Sequence, residues 1–424
     1  MSKNHAYLCG KGPSLDEITP EWFRDKDAPI WCLNQSADVI HALMPGREIH
    51  CVQNDDWIKY RPADGVEWHR HHRVDPQGHP NSKDYDPFLL TGHWASPTCM
   101  CALELMYRAG HDEITMVSFD SHFTGSKAYA DCIGVKADCI APYFIYDTMM
   151  RRWAWHSNVV LKWMDEDGVE HDDTPITKCL VAVACGDKYV RQTERMAESF
   201  VKHNPEWDVA EFFDDGLNAV LPAECRRWSK FDRCEIGRWF AMRKALERWD
   251  TCLYCDGDLR WYAPYKADAK HDVVLYPHYV TDKAAQDAKH FILKDGMANL
   301  GMFEMSRSID HDRLFDYIIG EVIHRPNSFK HGDQLWLQNL ISTLPDCGFD
   351  AVYNMDPGYD TACWNLRHGD RLVFERDGVP WVKTNTQLKY PLRSFHFSSK
   401  SLGSLAKYGQ TVQRLLNDYL KEEK

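Results

Sequence analysis

The stretch Trp249-Asp-Thr-Cys-Leu-Tyr-Cys-Asp256-Gly-Asp258-Leu259 runs an apolar segment straight into two aspartates separated by glycine. Thr251 to Cys255 reads as a buried strand, preceded by a helical stretch from Arg233 to Arg248. A strand that stops abruptly in charge places its last side chains at the carboxyl edge of a sheet, where α/β folds bind ligands. Gly257 is expected to permit close approach of a nucleotide backbone. Paired carboxylates at such an edge suit a hard divalent cation, which neutralises a diphosphate as it departs. The same three residues also fit a plain turn whose side chains bond their own backbone. The surroundings of the motif therefore decide its reading.

Working outward, the pattern upstream is strand, helix, strand: Cys179–Ala184, Val190–Lys202 and Val209–Phe213. Before that lies an acidic, polar stretch from Asp165 that ends at Pro175, unlike the apolar segments on either side, and the domain boundary is expected there. The first half repeats the alternation with different loops. Strands are expected at His5–Cys9, Ile30–Leu33, Ile49–Val52 and Ile114–Phe119, and a helix at Thr98–Ala109. Both halves are thus α/β, with domains expected over 1–172 and 176–424 and no internal repeat.

Composition fits this. At 424 residues the chain exceeds what one core usually supports, and 44% hydrophobic with 27% charged residues is ordinary for globular protein. The net charge of −13 argues against non-specific binding to phosphate polymers or anionic membranes. No apolar run approaches the length of a membrane span. Fifteen cysteines scattered through a long chain whose start carries no apolar signal region suggest a reducing compartment, so a cytoplasmic location is expected. Cys252 and Cys255 form a C-x-x-C, but residues three apart on a strand point to opposite faces, which disfavours a shared zinc. His69, His71 and His72 read as a solvated loop.

Further residues fall in order around Asp256 and Asp258. They are Asp187 and Tyr189 in the turn after Val181–Ala184, Lys230 and Arg238 before the motif, and Asn299-Leu-Gly301 after it. Gly332-Asp333-Gln334 and Phe395-His396-Phe-Ser-Ser-Lys400 follow. This set resembles the glycogenin-like and bacterial lipopolysaccharide glucosyl- and galactosyltransferase family, which has the GT-A fold. The resemblance implies Asp256, Asp258 and His396 as ligands of Mn²⁺ or Mg²⁺. It implies Asp187, Tyr189, Lys230, Arg238, Asn299, Gly301 and Lys400 as contacts of a nucleotide-sugar donor, a UDP-sugar favoured, and Asp333 with Gln334 flanking the reacting sugar. Retention of anomeric configuration is implied with them. Individually, Asn299 also fits a turn, Asp333 a helix N-cap, and His396 an ordinary core or surface histidine. Ser398 and Ser399 depart from the glycine the family usually places before the lysine.

In the first half, Gly10-Lys-Gly-Pro-Ser-Leu15 follows a strand and opens a helix, an arrangement that offers backbone amides to phosphate. With Trp31-Cys-Leu-Asn34, Ser96 before a helix, and Val117-Ser-Phe-Asp120, it resembles bacterial sialyltransferases and the related pterin pyrophosphokinase-like domain. That resemblance implies a Rossmann-like nucleotide-binding domain with Gly10, Gly12, Ser14, Asn34 and Ser96 at its site. Lys11 stands where the sialyltransferases have asparagine. His122, just past Asp120, fits either a base or a loop histidine. The expected function is metal-dependent glycosyl transfer, to a glycan first or a modified DNA base second. A nucleotide-sugar-binding scaffold with degenerate sites is the non-enzymatic alternative.

Overall fold

The computed structural model describes residues 4–54, 60–71, 82–85, 97–124, 128–134, 143–172, 176–268, 271–277, 298–307, 315–316, 320, 351–354, 356, 358–359, 371–384, 387–397 and 408–422. Its architecture is α/β throughout, in two compact units that divide between Ile176 and Thr177, with Arg307 grouped with the first. No described helix is long and apolar enough to cross a membrane.

The first unit is built on strands β1 (His5–Cys9), β2 (Ile30–Leu33), β3 (Ile49–Asn54), β4 (Glu67–His71), β5 (Ser82–Tyr85), β6 (Glu113–Val117), β7 (Val160–Met164) and β8 (Glu170–Asp172). They lie in the order β5-β4-β3-β2-β1-β6-β7-β8. All neighbours are parallel except β7 and β8. A parallel sheet covered on both faces needs apolar side chains on both, and β1 supplies them. Ala6 and Leu8 enter one core with the helix Thr98–Arg108, while Tyr7 and Cys9 enter the other with Ile40 and Met44. The chain order reverses between β1 and β6, which makes a crevice at their carboxyl ends.

Local structure sharpens three expectations. The acidic stretch is not simply a linker: Glu170–Asp172 adds β8 antiparallel to β7, and the turn is closed by Asp165, whose carboxylate accepts from the amides of Asp167 and Val169. The helix expected after Gly12 is present as a 3-10 helix, Pro13–Glu17. His69 and His71 are buried in β4, not solvated. Polar side chains survive there because they find partners, His71 Nε2 lying 3.3 Å from Thr98 Oγ1.

The second unit opens with β9 (Lys178–Ala184) and β10 (Asp208–Phe213), followed by β11 (Thr251–Cys255), β12 (Leu259–Trp261), β13 (Val273–Pro277), β14 (Ala298–Ser306) and β15 (Ala351–Tyr353). The main sheet runs β10-β9-β11-β14-β13-β15, with β14 antiparallel to both its neighbours. Alternation along β11 sends Cys252 and Tyr254 into one core and Leu253 and Cys255 into the other, so the two cysteines face opposite sides. The helix Lys230–Leu246 covers the first of these cores. It starts earlier than the apolar pattern suggests because Ser229 caps it, its hydroxyl accepting from the Asp232 amide at 3.1 Å. Beyond lie β16 (Arg371–Arg376), β17 (Val379–Thr384), β18 (Lys389–Pro391) and β19 (Ser394–His396). The helix Gln410–Glu422 packs Val412, Leu415, Leu416 and Tyr419 against Phe395 and Phe397.

Candidate functional site

Parallel pairing ends β9 and β11 at the same edge of the main sheet. The chain leaves β11 at Cys255, turns through Asp256, Gly257 and Asp258, and returns as β12, which pairs antiparallel with β19. Leu259 faces His396 in that register. Two segments remote in sequence thus meet, and His396 Nε2 stands 2.7 Å from Asp258 Oδ1. One donor atom from each of Asp256, Asp258 and His396 lies within 4.8 Å of the others.

The turn is held from every side. Asp256 donates its amide to Gly301 O at 2.7 Å, and Phe397 donates to Asp258 O at 2.9 Å. Tyr254 donates its hydroxyl to Asp256 Oδ1 at 2.8 Å. Arg260, buried, donates through Nη1 to Gly257 O at 2.9 Å and Leu259 O at 2.7 Å, and through Nε to Glu422 at 3.0 Å. Its guanidinium lies 4.8 Å from the Tyr419 ring, so the helix Gln410–Glu422 braces the motif. A Cβ on Gly257 would overlap the Thr193 hydroxyl and stand 3.1 Å from Thr193 Cα. The close approach that this glycine permits is therefore that of the helix Asp187–His203.

Electrostatics fit a cation here. Burial, and then the charge of Asp258, push the Asp256 carboxyl above its ordinary range. Burial acts the same way on Asp258, but the charge and hydrogen bond of His396 outweigh it and hold that carboxyl below its usual value. Asp256 thus lacks a charge partner as close as the one Asp258 has. The cation it favours is partly supplied by Arg238, whose guanidinium is buried 5.9 Å from the Tyr254 ring and donates to Leu300 O at 3.3 Å and Glu235 at 3.1 Å. Two carboxylates and an imidazole converging in such a place match the donor set of a divalent metal.

Several sequence-expected residues adjoin this cluster. Asn299, buried in β14, accepts the Gly301 amide at 2.8 Å, and a Cβ on Gly301 would stand 2.7 Å from Asp256 Oδ2. Lys230 folds over the turn after β9, where Gly186 at φ +87° has room for its ammonium. Asp187 and Tyr189 start the next helix and are exposed. Asp333, Gln334 and Lys400 lie outside the described residues. Tyr254, Glu235, Arg260 and Thr193 were not singled out by sequence. Period-two spacing places Tyr254 with Asp256, and helical spacing places Glu235 with Arg238, but nothing local points to Arg260 or Thr193.

In the first unit, Gly10 and Gly12 donate to Val117 O at 2.7 Å and Ser118 O at 2.9 Å. Ser14 donates both its amide and its hydroxyl to Asp120 Oδ2 at 3.1 Å. These amides are already engaged within the protein, and the glycines serve a close approach: a Cβ on Gly10 would meet Ser118 O at 2.5 Å, and one on Gly12 would overlap the Asp120 carboxylate. Asn34 at φ 53° and Ser118 at φ 57° sit at the ends of β2 and β6. Among the described residues, Asn34 Oδ1 and Ser118 Oγ are buried without a hydrogen-bond partner. His122 stacks on Trp163 with ring centroids 3.8 Å apart. Ser96 lies outside the described residues.

Fold and site together define an α/β protein with a carboxylate–histidine cluster at the carboxyl edge of a mixed sheet. No family model matches the chain, and no curated protein matches it. Among solved structures it is similar to a glycosyltransferase involved in the glycosylation of the major capsid of PBCV-1, at 8% identity and a TM-score of 0.34, covering 58% of this chain and 99% of that one.

Proposed function

We propose that the second unit is a GT-A-type glycosyltransferase that moves a sugar from a nucleotide-diphosphate donor, a UDP-sugar favoured, to a glycan acceptor. The observation that carries this reading is the convergence of Asp256, Asp258 and His396 from two distant segments onto one point at the sheet's carboxyl edge. Those three residues would hold Mn²⁺ or Mg²⁺, which when bound supplies the charge that stabilises a departing diphosphate. Arg238 adds fixed positive charge from a buried position, where it acts more strongly than in water. Lys230 brings a second cation to the Gly186 turn, beside Asp187 and Tyr189, where the nucleotide would lie. Asn299 and Gly301 shape the floor beneath Asp256. Asp333 and Gln334 are assigned to the reacting sugar, and Lys400 to phosphate, on the family resemblance alone. The first unit is assigned nucleotide recognition at the ends of β2 and β6, where Asn34 Oδ1 and Ser118 Oγ offer polar atoms with no protein partner among the described residues.

The test is nucleotide-sugar hydrolysis with and without Mn²⁺. Wild type turns the donor over only with metal, and Asp256→Ala with Asp258→Ala abolishes it. Equal turnover in both proteins removes the proposed metal site.

A further inference from the structure

We propose that His50, Glu67 and His69 form a second metal site, of the zinc class, on the sheet of the first unit. Register makes the cluster. His50 on β3 lies opposite Glu67 on β4, and His69 follows Glu67 by two residues, so all three side chains share one face. His50 Nδ1 and His69 Nε2 stand 3.2 Å apart, and each lies 3.5 Å from an oxygen of the Glu67 carboxylate. Two nitrogen ligands bound tetrahedrally to zinc at about 2.0–2.1 Å are roughly 3.3–3.4 Å apart. The spacing already present therefore fits a bound ion with little movement.

Both imidazoles are held by stacking and His50 also by a carboxylate, while His69 Nδ1 is buried without a hydrogen-bond partner among the described residues. Trp31 stacks on both rings, at 4.2 Å and 12° for His50 and at 5.0 Å and 26° for His69. Glu48 Oε1 lies 3.0 Å from His50 Nε2, and a carboxylate there can only accept, so a proton held at Nε2 would leave Nδ1, which faces His69 and Glu67, to serve as the ligand atom. A carboxylate behind a ligating histidine is the usual support of such sites. Two imidazoles and one carboxylate favour zinc-type ions over Mg²⁺ or Ca²⁺, and three protein ligands leave a fourth position for water. Glu67 is 39% exposed, which gives the ion a way in. The Lys83 ammonium rests on Glu67 Oε1 and is itself 60% exposed, so it is free to swing into solvent as the ion enters.

The competing arrangement is a plain hydrogen bond between the two imidazoles, with no metal. The full-length chain carrying Asp256→Asn and Asp258→Asn, treated with chelator and dialysed against Zn²⁺, separates the two. The expected result is one equivalent of zinc, with Co²⁺ in its place giving visible absorption of a tetrahedral ion. Adding Glu48→Gln should weaken binding by about 10–100-fold, and adding Glu67→Gln by more than that range. Glu67 is partly exposed, so its substitution tests the site even if His69→Gln fails to fold. No bound zinc in the Asp256→Asn, Asp258→Asn chain overturns the proposal. So does one equivalent whose affinity is unchanged by both Glu67→Gln and Glu48→Gln.

Discussion

Gly301→Ala tests the geometry of the Asp256 carboxylate without replacing any charged group. A Cβ at this position stands 2.7 Å from Asp256 Oδ2, 2.9 Å from Asn299 Oδ1 and 3.3 Å from Asp256 Cγ. Restoring an ordinary contact of 3.4 Å requires the Oδ2 atom to retreat by about 0.7 Å. Retreat is resisted, because Oδ1 of the same carboxylate accepts the Tyr254 hydroxyl at 2.8 Å and the Asp256 amide is tied to Gly301 O at 2.7 Å. Overpacking of this kind costs about 1–3 kcal/mol, a fall of roughly 2–12 °C in the midpoint of a unit this size. A misplacement near 1 Å at a reacting centre costs about 10²-fold in rate, so Mn²⁺-dependent donor hydrolysis should drop by a few tens of fold while the chain stays folded. Steady-state turnover and thermal unfolding on the same preparation provide both numbers. Full turnover in Gly301→Ala would mean that the carboxylate this side chain must displace takes no part in the reaction.

Two other substitutions probe the supports. Arg260→Ala removes the donor that joins Gly257 O, Leu259 O and Glu422; it should cost about 2–4 kcal/mol and lower turnover, with Arg260→Lys recovering only part of each, as measured by denaturant unfolding and hydrolysis. Gly12→Ala should destabilise the first unit by about 3 kcal/mol, because its Cβ would overlap the Asp120 carboxylate and stand 2.8 Å from Ser118 O; an unchanged unfolding midpoint for that unit contradicts the packing described.

The sequence announced the elements that alternate cleanly. β1 and β2 coincide with the apolar runs His5–Cys9 and Ile30–Leu33, and β11 ends at Cys255, just before Asp256, as its composition suggests. It did not announce β4 and β5, whose residues Glu67-Trp-His-Arg-His71 and Ser82-Lys-Asp-Tyr85 are polar. Such a strand is stabilised by partners that only the fold brings, such as Asp84 beside Arg70. Asp256, Asp258 and His396 are named together only through the family resemblance, and the structure brings one donor atom of each within 4.8 Å of the others. Arg260 and Thr193 were not legible, since what makes them matter is a contact with Glu422 and with Gly257 across the fold. The role of Gly257 changed accordingly: its missing side chain admits Thr193. The burial of His69 and His71 in β4 is hidden for the same reason as the strand, because polar residues look solvated until the fold supplies their partners.

On the proposed function, Asp256, Asp258 and His396 bind a divalent ion together with a nucleoside diphosphate. Counting bound Mn²⁺ by electron paramagnetic resonance, in chain saturated with UDP, tests it most directly. One tight ion is expected in wild type, retained in Glu67→Gln and lost in both Asp256→Asn with Asp258→Asn and His396→Ala. An undiminished count in those two variants would contradict it.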